Sequence, residues 1–362
     1  MTEPKRDAAE TRIRCLEERT ISLPTYIIGP LHVRGQCASG EYKIPLATAE
    51  VPLIPSTARG IKIANLCGGV ETIVEKDEMT RAPLFSTTSC AKAEELCQYL
   101  RSNFHTLYEV VARTTTHGKL MSIEALQHVS DAYVRIGMFC ADAAGHNMTT
   151  KAAQYIWEHI RSLPQFQNDV DLLTVSSNYC TDKKPARVNV EKGRGKTVLA
   201  SLHIPRDILE KNLHTTAQRL EDVNYKKNCV GSRLAGCVGG NNAHHANIVA
   251  AMYLAFGQDV ANVVEGSLGS TSVKCNDDGS ATFAVHLPAL IVGTIGGGTK
   301  LPHAKQNLET LGLYGSGDPP GSNAKALAEI ITAAVLAGEL SLMAALSNNG
   351  EHWRAHQRFE RG

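Results

Sequence analysis

Asp182, Lys183 and Lys184 stand in a row where the apolar run VDLLTV opens into the loop SSNYCTDKK, residues 176–184. Two ammonium groups beside a carboxylate can carry chemistry, although a run of this kind after a strand is more often a solvated turn. Glu50, between Ala49 and Val51, is either an edge residue facing water or a buried acid whose pKa is raised by desolvation. Ser56, Arg59 and Lys62 open a predicted helix, whose free N–H groups would suit an anion. In DAAGHNM, residues 142–148, Gly145 stands at the mouth of another helix, where it either lets the backbone approach a phosphate or simply caps the helix. No G-x-G-x-x-G accompanies it, so an ordinary Rossmann site is not supported.

A third group of signals lies further on. At about 100° per residue, His244, Asn247, Ala251, Ala255, Gln258 and Asp259 share one face of a long predicted helix. That face lacks the Lys and Glu usual on an exposed surface and suits a lined pocket better. Gly296, Gly297 and Gly298 follow an apolar strand and allow close approach either to a ligand or to another chain segment. His352 and His356 follow Gly350 near the C-terminus, where histidines are ordinarily just solvated.

The elements that must position these residues read as a mixed α+β chain. With 362 residues and 43% hydrophobic content the chain can bury a large core and suggests two domains or one elaborated domain. Lys+Arg at 37 against Asp+Glu at 36 leaves no global field for nucleic acid or an anionic membrane, so small partners are expected. Ten cysteines without a Cys-x-x-Cys pair or a secretory leader fit free thiols in a reducing cytoplasm, and no metal is expected. The charged residues 1–20 read as an N-terminal arm. Short strands with Gly and Pro turns follow in ISLPTYIIGPLHVRG and EYKIPLATAEVPLI.

From Ser86 to Thr174 a helix, strands at LYEVVARTTT, KLMSIEAL and HVSDAYVRIGMFC, a second helix and a strand suggest a small ferredoxin-like unit inserted in a larger domain. Ala186–Pro205 reads as a hairpin turning at Lys192-Gly193-Arg194-Gly195, and ATFAVHLPALIVGTIGGGTK as a strand pair ending in the glycines. The apolar stretch from Ala328 to Leu346, interrupted by Glu329 and Glu339, reads as a buried helix rather than a membrane span.

Taken in order, PLATAE, STARG, DEMTRAP, DAAGHNM, SSNYCTDKKPARVNVEKGRGK, NAHHANIVAAMYLAFGQD, VGTIGGGTKLP and AGELSLMAAL resemble the 3-hydroxy-3-methylglutaryl-coenzyme A (HMG-CoA) reductase family, class I in character, from about Leu23 to His356. The resemblance implies a large acyl-CoA-binding and catalytic domain (21–84 and 175–345), an inserted small NADP(H)-binding domain (85–174) and a mobile C-terminal tail (346–362). It further implies homodimers or higher oligomers with active sites at the subunit interface, HMG-CoA and coenzyme A as ligands, and NADPH rather than NADH as reductant.

By match, Lys183 stabilises the oxyanion formed at the thioester, Asp259 keeps that lysine charged, His356 protonates the departing thiolate, and Glu50 is the desolvated acid of the second reduction. Arg81, Ser176, Asp182, Lys184 and Lys227 match substrate-binding positions, with His244 and Asn247 supporting the same network. Ser56 and Arg59 match coenzyme A contacts. Asp142, Asn147 and Met148, with Gly296, Gly297 and Gly298, match the cofactor motifs. Three departures stand out: Val51 follows Glu50 where the family commonly has Gly, Glu351 replaces a histidine, which makes His352 a competitor of His356, and Cys90 lies near a 2′-phosphate-binding arginine position that Lys92 would have to serve. These departures motivate an alternative, a degenerate homologue that binds acyl-CoA as a regulatory protein.

Overall fold

The protein is described here as a computed structural model that covers residues 21–348 and 350–360, with the backbone alone for 355, 356, 359 and 360. The expected arm, 1–20, and the His356 side chain lie outside the described residues.

Strands β1 (Thr25–Gly35) and β2 (Ser39–Ala47) form an antiparallel pair. Helix α1 (Leu53–Leu66) leads into the long β3 (Val70–Arg81). Its first part pairs with β1 and β8, and its last three residues, Met79–Arg81, pair with β6. One strand thereby carries the chain from one hydrophobic core to the next. The second core is built by β4 (Leu84–Thr87), α2 (Cys90–Ser102), α3 (Phe104–Ala112), β5 (Lys119–His128), β6 (Asp131–Phe139), α4 (His146–Ser162) and β7 (Val170–Thr174). Its four strands lie in the order β7-β4-β6-β5, all neighbours antiparallel.

The expected strand at LYEVVARTTT is instead helix α3. Leu107, Val110 and Val111, spaced i, i+3, i+4, face inward together, so packing against α4 and β5 overrides the β-propensity of the valines.

The chain then returns to the first core through α5 (Arg187–Lys192), β8 (Gly195–Ile204), α6 (Arg206–Asn212) and α7 (Ala217–Val223). A π-helical stretch, Asn224–Gly231, α8 (Ser232–Leu234), α9 (His245–Ala255), α10 (Val263–Gly266), β9 (Ser270–Cys275) and β10 (Ala281–Leu290) follow. The expected hairpin over 186–205 is not formed, since its first arm is α5 and β8 pairs with β3 and β10 instead. The strand pair expected across 281–300 is the single strand β10, which takes β8 and β9 as neighbours.

After α11 (Pro302–Thr310), α12 (Ser322–Ser347) runs through the first core against α1, β3, β8 and α9, and α13 (Glu351–Glu360) follows it. By length and composition α12 could cross a membrane, yet 83% of its most apolar window is buried inside the protein, as a core helix should be. Its two buried acids tie down loops. Glu329 accepts from the backbone N–H groups of Gln36, Cys37 and Ala38, in the turn between β1 and β2, and burial pushes its carboxyl up. Glu339 accepts from Ala243 N at 2.6 Å, His244 N at 3.0 Å and Thr271 Oγ1 at 2.7 Å, which fixes the start of α9. The described residues of the expected C-terminal tail, 346–362, end α12 and form α13.

Candidate active site

The loop after β7 is held in a conformation few side chains choose. Asn178, Thr181 and Lys183 have φ of 66°, 50° and 59°, in the left-handed region, and such residues cost about 1–3 kcal/mol each unless their surroundings enforce them. Here the enforcement is visible. Ser177 N donates to Ala82 O at 2.7 Å, Asn189 Nδ2 to Thr181 O at 3.1 Å, and Lys183 N to Glu265 Oε1 at 3.1 Å. Glu265 also accepts from Arg194 Nη1 at 2.8 Å and Asn262 Nδ2 at 3.0 Å; both Arg194 and Glu265 are fully buried.

Asp182 completes this cluster. Its Oδ1 lies 3.1 Å from Arg194 Nη1, 3.3 Å from Asn262 Nδ2 and 3.7 Å from His146 Nε2. The His146 imidazole, then Arg194, hold its carboxyl well below the usual carboxylate range. Burial raises the Glu265 carboxyl, partly offset by the N–H of Lys183 and by Arg194.

With the backbone fixed, the Lys183 side chain reaches out of the loop and its Nζ meets Asp259 Oδ2 at 2.7 Å. That hydrogen bond raises the lysine pKa, so the ammonium stays charged through neutral pH. Asp259 is itself anchored by accepting from Ala261 N at 3.1 Å. It does not lie on the helix predicted for it. Helix α9 ends at Ala255, and Gln258 and Asp259 follow in a turn, while Ala251 and Ala255 of the expected polar face are buried.

Beside this pair is a cavity of about 510 Å³. One wall is the 143–148 turn with Asn147 and Met148, another is the run Gly296–Gly298, and Asp259 lies between them. The two walls touch, because a Cβ on Gly293 would lie 2.5 Å from Ala144 N, so only glycine permits this approach. The three consecutive glycines divide between the alternatives that local pattern leaves open. Gly298 packs against the Gly257 backbone, whereas Gly296 and Gly297, with φ of 77° and 52°, have nothing near their Cβ positions. The cradle fits a nucleotide cofactor in kind: bare backbone faces the N-terminal turn of α4 across open space.

Asp142 is placed differently from expectation. Its carboxylate is buried and accepts from Gly317 N, Gly321 N and Ala324 N at 3.0, 2.8 and 3.0 Å, so it ties down the entry to α12, and Asp142 is not among the cavity's lining residues. Its part is to position the turn.

The remaining residues fall into two sets. Arg81 ends β3 with its Nε buried and unpartnered, and its charge acts on Asp182. Ser176 Oγ lies 3.5 Å from Cys180 Sγ, and Lys184 Nζ donates to Asp182 O at 3.2 Å. Ser176 and Lys184 belong to the loop, and Arg81 lies beside it. Glu50, Ser56, Arg59, Lys227, His244 and Asn247 are not among the cavity's lining residues. Glu50 is exposed before α1, and Lys227 is exposed on the π-helical stretch. Helix α1 begins at Leu53, so Ser56 and Arg59 stand past its first N–H groups rather than opening it.

Arg59 is already engaged, donating to Ser341 Oγ at 3.0 Å and Ser341 O at 2.6 Å and pairing with Glu351 of α13. Lys92 is likewise held, by Glu95 at 2.7 Å and the Gln165 carbonyl at 3.0 Å. His146, Arg194, Asn262 and Glu265 were not singled out from the sequence. Arg194 sits in the KGRG turn and His146 inside DAAGHNM, but nothing local marks either as facing Asp182.

The family model described as hydroxymethylglutaryl-coenzyme A reductase matches residues 8–361. The 3-hydroxy-3-methylglutaryl-coenzyme A reductase of Pyrococcus abyssi is 43% identical over 343 residues, covering 94% of this chain and 83% of its own. That of Haloferax volcanii is 43% identical over 342 residues, with the same coverages. Among solved structures, the class II enzyme of Streptococcus pneumoniae bound to NADPH in open conformations superposes with a TM-score of 0.70 at 20% identity, over 91% of this chain and 86% of that one, a likeness of fold.

Proposed function

The chain belongs to the hydroxymethylglutaryl-coenzyme A reductase family and is an oxidoreductase of the mevalonate pathway, and from that premise we propose that it reduces HMG-CoA to mevalonate and coenzyme A with two NADPH, through a thiohemiacetal and mevaldehyde. The observation that carries this reading is the Lys183–Asp259 pair at 2.7 Å beside the cavity between the 143–148 turn and the glycine run. In this reading the 85–174 unit, whose strand order supports a ferredoxin-like arrangement, forms the nucleotide domain, and 21–84 with 175–345 forms the acyl-CoA domain.

NADPH supplies the hydrides when bound; Asn147, Met148 and the open Gly296–Gly297 backbone would hold it. As the thioester carbonyl is reduced, the Lys183 ammonium hydrogen-bonds the developing oxyanion, with Asp259 holding it in place and Glu265 fixing the backbone beneath it. Arg81, Ser176 and Lys184, on or beside the loop, bind the acyl carboxylate, together with Lys227. Collapse of the thiohemiacetal releases a thiolate that His356 protonates, and Glu50 protonates the aldehyde oxygen in the second reduction. Glu50 and Lys227 are exposed and off the cavity lining, which supports a homodimer whose second copy completes each site and buries Glu50. The nine unpaired cysteines among the described residues support a reducing, cytoplasmic setting.

The test is turnover of HMG-CoA followed by loss of reduced nicotinamide, with NADPH and NADH in parallel; a folded dimer that turns over with neither would sink the reading. The cavity assignment is tested by Asn147→Trp, which should fill it and raise the KM for NADPH by about tenfold or more with the thioester KM little changed. Arg59 offers another handle. If it binds coenzyme A, Glu351 competes with that ligand. Glu351→Ala should therefore lower the KM for HMG-CoA by up to about fivefold, the worth of a partly exposed ion pair, and an unchanged or higher KM would remove Arg59 from the coenzyme A site.

A further inference from the structure

His146 is the first residue of α4 and lines the cavity, yet its Nε2 is enclosed with no hydrogen-bond partner in range. The group it faces is Asp182 Oδ1, 3.7 Å away. Asp182 immediately precedes Lys183, whose ammonium pairs with Asp259. A side chain from the turn lining the cavity thus points at the base of the loop that presents the ammonium.

The two sides of the gap differ in freedom. Asp182 is tied by Arg194 and Asn262, and its neighbour Lys183 by Glu265, so the loop cannot travel to meet the imidazole. The distance exceeds hydrogen-bond length by only a few tenths of an ångström, so a small change in the His146 side-chain torsions closes it, with Nε2–H donating to the carboxylate. We propose that His146 is a positioning residue which, by closing this hydrogen bond when the 143–148 turn takes up the nucleotide, couples cofactor binding to the placement of Lys183. The inference rests on the reading of the cavity as the nicotinamide nucleotide's seat.

The test compares His146→Ala and His146→Gln in the full chain, by steady-state kinetics with HMG-CoA and NADPH and by NADPH fluorescence titration without thioester. His146→Ala should lower kcat about tenfold with the thioester KM within about twofold, because a hydrogen bond to a charged group is lost from the loop and not from the thioester site. Gln also carries an N–H donor and should restore kcat to within about threefold of the unmodified protein. Unchanged kcat in His146→Ala, or a Gln variant no better than Ala at equal thermal stability, overturns the coupling. Asn147→Trp separates the two readings. If it leaves NADPH binding intact, the cavity assignment fails and the proposal with it; if it blocks binding while His146→Ala keeps full kcat, the coupling alone is wrong.

Discussion

Lys183→Ala should lower kcat by about a hundred- to a thousandfold, the usual cost of removing one preorganised donor from a developing oxyanion, while the protein remains folded. The structure separates side chain from scaffold at this position. What holds the loop is the Lys183 backbone N–H on Glu265, which alanine retains. The left-handed φ of 59° is no worse for alanine than for lysine, as both carry a Cβ. The side chain itself is half-exposed and contributes little to stability, so loss of activity without loss of fold is expected. Asp259→Asn should follow in the same direction with a smaller effect, because the amide still positions the ammonium but no longer favours its charge. Near-normal turnover by Lys183→Ala, measured at saturating thioester and NADPH, would remove this residue from the chemistry.

Arg194→Met should destabilise the protein by about 3–5 kcal/mol, read from denaturant unfolding, since it leaves the fully buried Glu265 and the partly buried Asp182 without their cation. Much smaller losses are expected from Glu265→Gln, where Arg194 keeps Asp182 as a partner. A cost below about 1 kcal/mol for Arg194→Met would mean that water or a proton on Glu265 already relieves the cluster. The pH dependence has a definite sign. The folded-state pKa of Asp182 is depressed, so its contribution is fully present above the ordinary aspartate value of about 3.9 and disappears as pH falls through the folded value. Activity should fall along with stability in Arg194→Met, because the same guanidinium fixes Asp182, one residue before Lys183.

Much of the site was legible without coordinates, for identifiable reasons. The family resemblance named Lys183 and Asp259 together, and the structure brings them within 2.7 Å of each other. The strands KLMSIEAL and HVSDAYVRIGMFC, and the buried helix over Ala328–Leu346, follow from local apolar patterns, although the helix begins earlier, at Ser322. LYEVVARTTT did not, because a short run rich in valine suits a buried helix face as well as a strand, and only its neighbours choose. The 186–205 hairpin failed similarly. A Gly-rich turn predicts a reversal, but the β3 and β10 edges outcompete the local arm for β8.

By itself, then, the sequence determined the chemistry available: which side chains are ionisable, where glycine frees the backbone, and through its ordered motifs which family of folds would hold them. The tertiary structure decided how each group is used. Asp142 became an acceptor for N–H groups at the entry to α12, from Gly317 in the preceding loop and from Gly321 and Ala324 at the helix start. His146 and Arg194 came to face Asp182 from segments 36 residues before it and 12 after it. Hydrogen bonds and ion pairs act over a few ångströms, and whether two groups come that close is set by the packing of the two cores around β3, which no local spacing encodes.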